Sequence, residues 1–154
     1  MLRIATVVAL TLVSSAALAQ SGDACTVGRK YIELVGQREW EAVANLFAPN
    51  AVVYAPTGKV YRGAEEIRRF YTVEASQLGA NLVVRPQGFV GSKTECYFEI
   101  WARSKKDAEG VYVLDPNGEF VRNAIDHFTL DDQGRVLEMV AHSAPTANMF
   151  KKSN

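Results

Sequence analysis

The chain has 154 residues, with 17 basic and 17 acidic side chains and a net charge of zero, and 48% of its residues are hydrophobic. That length is one ordinary domain with enough chain to bury a core without disulfide staples. The charge balance offers no basic face for a nucleic acid or an anionic membrane, and the densest basic pairs, Arg68-Arg69 and Lys105-Lys106, sit beside acids as solvated faces.

The N-terminus reads as a secretory signal peptide over residues 1–19. Arg3 gives a positive start, residues 4–13 form a short apolar run, and Ala17-Leu18-Ala19 is a small-x-small cleavage site before Gln20. The run is too short to span a membrane comfortably, and nothing later is apolar enough to do so. Cleavage would deliver residues 20–154, with a net charge of about −1, to the periplasm or the exterior. Of that chain, 20–148 form the domain and 149–154 a loose tail. In an oxidising compartment Cys25 and Cys96 are either bridged or two separate buried thiols, and the sequence leaves both open.

Over residues 23–37, Val27, Tyr31, Leu34 and Val35 recur at helical spacing. A second short helix carries Trp40, Val43, Leu46 and Phe47 on one side and is stopped by Pro49-Asn50. Residues 51–54 and 59–61 read as strands around the Pro56-Thr57-Gly58 turn. Gly63 opens a third helix, where Ile67, Phe70 and Tyr71 share a face. Residues 81–90, 95–103, 119–130 and 135–143 are β-branched and aromatic and read as strands, with Asp132-Gln133-Gly134 reversing the chain between the last two. Residues 111–114 look like an added hairpin arm. Helices first and antiparallel strands after them is the α+β order, with helices on one face of a curved sheet.

One carboxyl stands out. Alternation in the strand puts Asp126 on the face of Ala124, Phe128 and Leu130, where burial is costly for a charge and raises a carboxyl pKa. The opposite face carries Ile125, so alternation alone leaves open which face is the inner one. Tyr31 and Tyr71 each lie on an apolar helix stripe, so their hydroxyls need buried partners, and with Asp126 they can satisfy one another as a network.

Longer stretches carry a resemblance. They are Tyr31 with the run Arg38-Glu39-Trp40-Glu41-Ala42-Val43, then residues 46–52, 63–71 and Ala124-Ile125-Asp126-His127-Phe128, and finally Gly134-Arg135-Val136 through to Met139. Together the chain resembles the bacterial ketosteroid isomerases of the nuclear-transport-factor-2-like, SnoaL-like superfamily, with a longer insert near residues 103–120. The resemblance implies a cone-shaped curved antiparallel sheet with three N-terminal helices around an apolar pocket. It implies that Tyr31 and Asp126 donate hydrogen bonds to a developing oxyanion, with Tyr71 supporting Tyr31. The pocket wall it implies comprises Phe47, Val53, Ala55, Phe98, Ile100, Phe128, Met139 and His142. It further implies a homodimer and a small apolar ligand.

The departure is at Ala55. The family's general base is a carboxylate directly before a proline, and here Ala55 precedes Pro56. Glu99 alternates away from the inner face, His127 points opposite to Asp126, and His142 lies on the last strand near the expected pocket mouth. The two histidines are too isolated for a metal site, and no phosphate loop, nucleophile elbow or Cys-His arrangement is present, so neither metal nor cofactor is expected. Three readings follow: an enolising isomerase or cyclase using Asp126 as donor or acid/base, a non-catalytic binder of a carbonyl or phenolic compound, and a homodimeric interaction domain.

Overall fold

The structure, a computed structural model, describes residues 23–151. The expected signal peptide at 1–19 lies outside those residues. Helix α1 (Ala24–Gln37) starts at Asp23, whose carboxylate accepts from the Thr26 N–H at 2.8 Å, and ends where Arg38 turns left-handed with φ 62°. Its stripe of Val27, Tyr31, Leu34 and Val35 is buried, as the spacing predicts. Helix α1 packs on the sheet very closely: a Cβ added at Gly28 would lie 3.0 Å from the Phe98 ring, which would have to give by a few tenths of an ångström to admit it. Cys25 and Cys96 are joined as a disulfide that ties this helix to the sheet.

Helix α2 (Trp40–Ala44) is shorter than its apolar spacing predicts. Leu46 and Phe47 leave the helix because strand β1 (Phe47–Tyr54) already begins there, with Phe47 opposite Val136. Pro49 runs within that strand, at a register shift between Phe47 and Val52 where a missing N–H breaks no ladder bond. Strand β2 (Val60–Arg62) returns antiparallel to β1 and leads into helix α3 (Gly63–Arg69). A π-helical turn, Phe70–Glu74, follows, then a 3-10 segment, Ala75–Asn81. The wider π turn leaves the consecutive Phe70 and Tyr71 both buried.

The remaining strands are β3 (Val84–Gly91), β4 (Glu95–Lys106), β5 (Tyr112–Leu114), β6 (Glu119–Leu130) and β7 (Val136–Ser143). β3 starts three residues later than predicted, because Asn81 still belongs to the 3-10 segment. The sheet order is β2-β1-β7-β6-β4-β3, with β5 folded back onto β4 as the expected arm. All these pairings are antiparallel except β1 with β7. The sheet curls into a half-barrel with the helices in its concave face, the α+β cone.

Register fixes which residues face inward. Cys96, Phe98, Ile100 and Ala102 of β4 are buried, while Tyr97 and Glu95 opposite them are exposed. Asp126 pairs laterally with Phe98 on one side and Ala141 on the other, both buried, so it faces the core. Ile125 is on the outer face with Glu99 and His142 as its register partners. A bulge near Ile100 inserts Asn123 as an extra buried residue, whose amide donates to the Val121 carbonyl at 3.0 Å and the Ser104 hydroxyl at 3.2 Å.

Candidate functional site

Five aromatic rings fill the bottom of the cone. Tyr31 packs edge-on against Phe128 with centroids 5.1 Å apart and against Tyr71 at 6.1 Å, and Phe98 meets Phe128 at 5.0 Å. Phe47 closes the group at 5.6 Å from Tyr71. Such packing holds the two phenols in fixed positions, and cutting one of these rings back to a methyl costs about 3–5 kcal/mol.

Above the rings lies a cavity of about 50 Å³, lined by Tyr31, Tyr71, Val53, Ala55, Ile100, Met139 and Asp126 among others. Seven of the expected site residues therefore share one wall, with α1, the π turn and four strands contributing. Phe47, Phe98 and Phe128 are set one layer deeper: they support the tyrosines and do not line the cavity. His142 is not at the pocket mouth. Met139 and Ala141 hold the inner positions of β7, so His142 points outward and is exposed. His127 is also off the cavity, stacked on Tyr97 at 4.1 Å. Glu99 lies outside too, accepting from Trp101 and Arg122.

Asp126 is the chemical centre of the wall. It is 1% exposed, and neither carboxyl oxygen has a hydrogen-bond partner among the described residues. Burial pushes its pKa up to about 8, so at neutral pH it is mostly the neutral acid, with a proton to give and no protein group to receive it. Tyr31 is raised by burial first and by the nearby Asp126 charge second, with the Tyr71 hydrogen bond pulling the other way. Tyr71 is raised by burial first and then by Tyr31. Both phenols therefore remain protonated donors across the physiological range. An unpaired acid and two phenols in a dry apolar wall can donate to an oxygen that gains charge, and the acid can also exchange a proton.

The lining includes residues that the sequence did not single out. Val35 and Trp40 come from the first two helices, Leu78 and Leu82 from the 3-10 segment and its end, and Met149 and Phe150 from beyond the last strand. Val35 and Trp40 sit on apolar helix stripes that read only as core, and Leu82 falls within the expected strand 81–90. Met149 and Phe150 belong to a segment expected to be loose. As far as Lys151 it is instead held in place: Ala147 bridges to Tyr112, and Lys151 Nζ lies 2.7 Å from both Asp107 and Glu109. The arm over residues 103–120 supplies those anchors, which is its visible role here.

The SnoaL-like domain matches residues 28–139. Among solved structures, one described as the epoxide hydrolase/cyclase-like enzyme SalBIII, of pyran ring formation in the polyether salinomycin, superposes with a TM-score of 0.59 at 22% identity, covering 80% of this chain and 92% of that one. A putative polyketide cyclase of Sinorhizobium meliloti, protein SMa1630, gives 0.57 at 20% identity, over 76% and 94%. A protein from Sphaerobacter thermophilus gives 0.56 at 19% identity, over 79% and 96%. At such identities the likeness concerns the fold. No curated protein sequence matches the chain.

Proposed function

The chain belongs to the SnoaL-like domain family, and from that premise we propose that it takes a small apolar carbonyl or phenolic compound into the Asp126 cavity and transforms it by proton transfer. The observation that carries this reading is Asp126 itself: a buried carboxyl with both oxygens unpartnered, on an otherwise apolar wall, with its pKa brought near neutrality. In the neutral form Asp126 donates to the substrate oxygen beside Tyr31. In the ionised form it accepts a proton from the carbon next to the carbonyl, and the phenols stabilise the enolate that results. That chemistry suits an enolising isomerase or a cyclase.

Ala55 favours a second reading. It lines the same cavity where the isomerases that the sequence resembles carry their base, and a methyl cannot move a proton. On this reading Tyr31 and Asp126 hold a ligand without turning it over. Export accompanies both readings, supported by the Cys25–Cys96 disulfide, a bond that persists in oxidising compartments. A homodimer is proposed through the outer sheet face, where Val90 and Tyr97 are register partners, exposed at 70% and 50%, and Ile125 lies on β6, the strand next to that of Tyr97.

The test follows conjugation of a β,γ-unsaturated ketone by absorbance. Turnover by the natural chain that survives Ala55→Gly and is lost in Asp126→Asn supports proton transfer by Asp126. No turnover until Ala55→Asp is introduced supports the binding reading. No turnover in any variant, with no binding of a phenolic steroid, overturns both.

A further inference from the structure

At about 50 Å³ the cavity over Asp126 holds one or two waters, well short of the several hundred Å³ of a small-molecule site. Something must move before a ring-sized compound reaches Asp126, and Phe150 occupies the decisive place. Its side chain lines the Asp126 cavity and also two larger clefts outside it, of about 280 Å³ and about 520 Å³. It is a wall common to all three spaces. The inner neighbour it packs on is Phe70, at a loose 6.5 Å between centroids.

The segment that carries Phe150 is held from outside. The Tyr112 N–H donates to the Thr146 carbonyl at 2.8 Å, and the Asn148 N–H donates to the Tyr112 carbonyl at 2.9 Å. Beyond Phe150, Lys151 sits between Asp107 and Glu109 at the tip of the β4–β5 arm. The Lys151–Glu109 pair is at the surface, Glu109 being 75% exposed, while the Lys151–Asp107 pair is partly covered, Asp107 being 18% exposed, so together they make a modest, salt-sensitive contact.

We propose that Phe150 is a gate over the Asp126 cavity, latched by Lys151 to the β4–β5 arm, and that the gate limits the size of compound the site admits. With the latch released and Phe150 swung aside, the cavity opens into its neighbouring clefts and reaches the volume of a ligand site for a compound of one or two rings. This rests on the cavity being the ligand site proposed above, but it concerns access and not proton transfer.

Access is measured without any ligand by placing a thiol inside. In an Ala55→Cys background, labelling by methyl methanethiosulfonate and by a bulkier two-ring methanethiosulfonate reports how often the cavity opens and how widely. Phe150→Ala is expected to speed labelling by about tenfold and to narrow the gap between the two reagents, and Lys151→Gln to speed it by about threefold. Added salt should accelerate the parent and leave Lys151→Gln unchanged. Labelling rates and reagent ratio unmoved in both variants would overturn the gate, while leaving the Asp126 proposal intact. Faster labelling in both variants, together with an inert ketone assay, would keep the gate and remove the proton-transfer reading.

Discussion

The Tyr71 hydroxyl lies 3.3 Å from both the Tyr31 hydroxyl and the Met139 sulfur, and of the two the hydroxyl is the stronger acceptor of its one proton. Because Tyr31 accepts there, and no described protein group accepts from it, its own proton is left for whatever enters the cavity. The two phenols are therefore unequal. Tyr31→Phe should weaken binding of a phenolic steroid by roughly tenfold or more, since a donor to the ligand is lost. Tyr71→Phe should weaken it only about threefold, by loosening the donor behind. Fluorescence titration of the two variants checks the order, and equal effects would contradict it.

Asp126 makes stability depend on pH in an unusual direction. Its folded pKa, about 8, stands above the ordinary carboxyl value of 3.8, so the native state binds the extra proton between those limits. Stability conferred by the neutral acid is present below about pH 4 and is lost as pH rises through about 8, on the order of 5 kcal/mol in all. The surface carboxylates held low by their partners, Glu74 and Asp115 for example, act in the opposite sense and only in acid. Asp126→Asn should therefore flatten the melting temperature between about pH 4 and 8. A scan in which both proteins fall in parallel would refute the assignment.

The disulfide spans 71 residues, so opening it releases a long loop in the unfolded chain. Reduction, or Cys25→Ser with Cys96→Ser, should cost about 4 kcal/mol and lower the melting temperature by about 10 °C or more. Thermal scans with and without reductant measure this.

At Gly28 the helix lies so close to the ring of Phe98 that a Cβ would sit 3.0 Å from it, and a branched side chain closer still. Gly28→Val should push α1 outward and cost about 1–3 kcal/mol, seen as a lower urea midpoint at unchanged slope.

His142→Ala should leave both ligand binding and any ketone turnover within about twofold of the parent, because the side chain lies on the far side of the sheet from Asp126. A large loss would require a role from outside the cavity.

Much of this was visible in the residues themselves. Helical spacing placed Tyr31 and Tyr71 on buried stripes, and alternation kept Asp126 with Ala124, Phe128 and Leu130. Alternation was silent on which face was inner, because Ile125 on the other side is apolar as well; only pairing with Phe98 and Ala141 resolves it. The place of His142 on the last strand points to the pocket mouth, but alternation from Met139 already turns it outward. The register skips Leu137 between the Leu130–Val136 and Thr129–Glu138 pairs, so the inward positions of β7 run Val136, Met139, Ala141. A bulge of that kind shifts the phase by one and leaves no mark in the sequence. The tail was opaque for a different cause. Met149 and Phe150 are two apolar residues at the end of a chain, and their place depends on acidic partners some forty positions earlier.

The Cys25–Cys96 link gives the cone an uneven mechanical character. The wall that carries Tyr31 is fastened covalently to β4, whereas the wall that carries Phe150 is held by two backbone hydrogen bonds and a lysine. Breathing of the fold is thus polarised: amide exchange in α1 should follow global unfolding, while residues 146–151 exchange through a cheaper, local opening. The donor that must be held still is built into the stiff half, and the traffic of molecules is left to the compliant one.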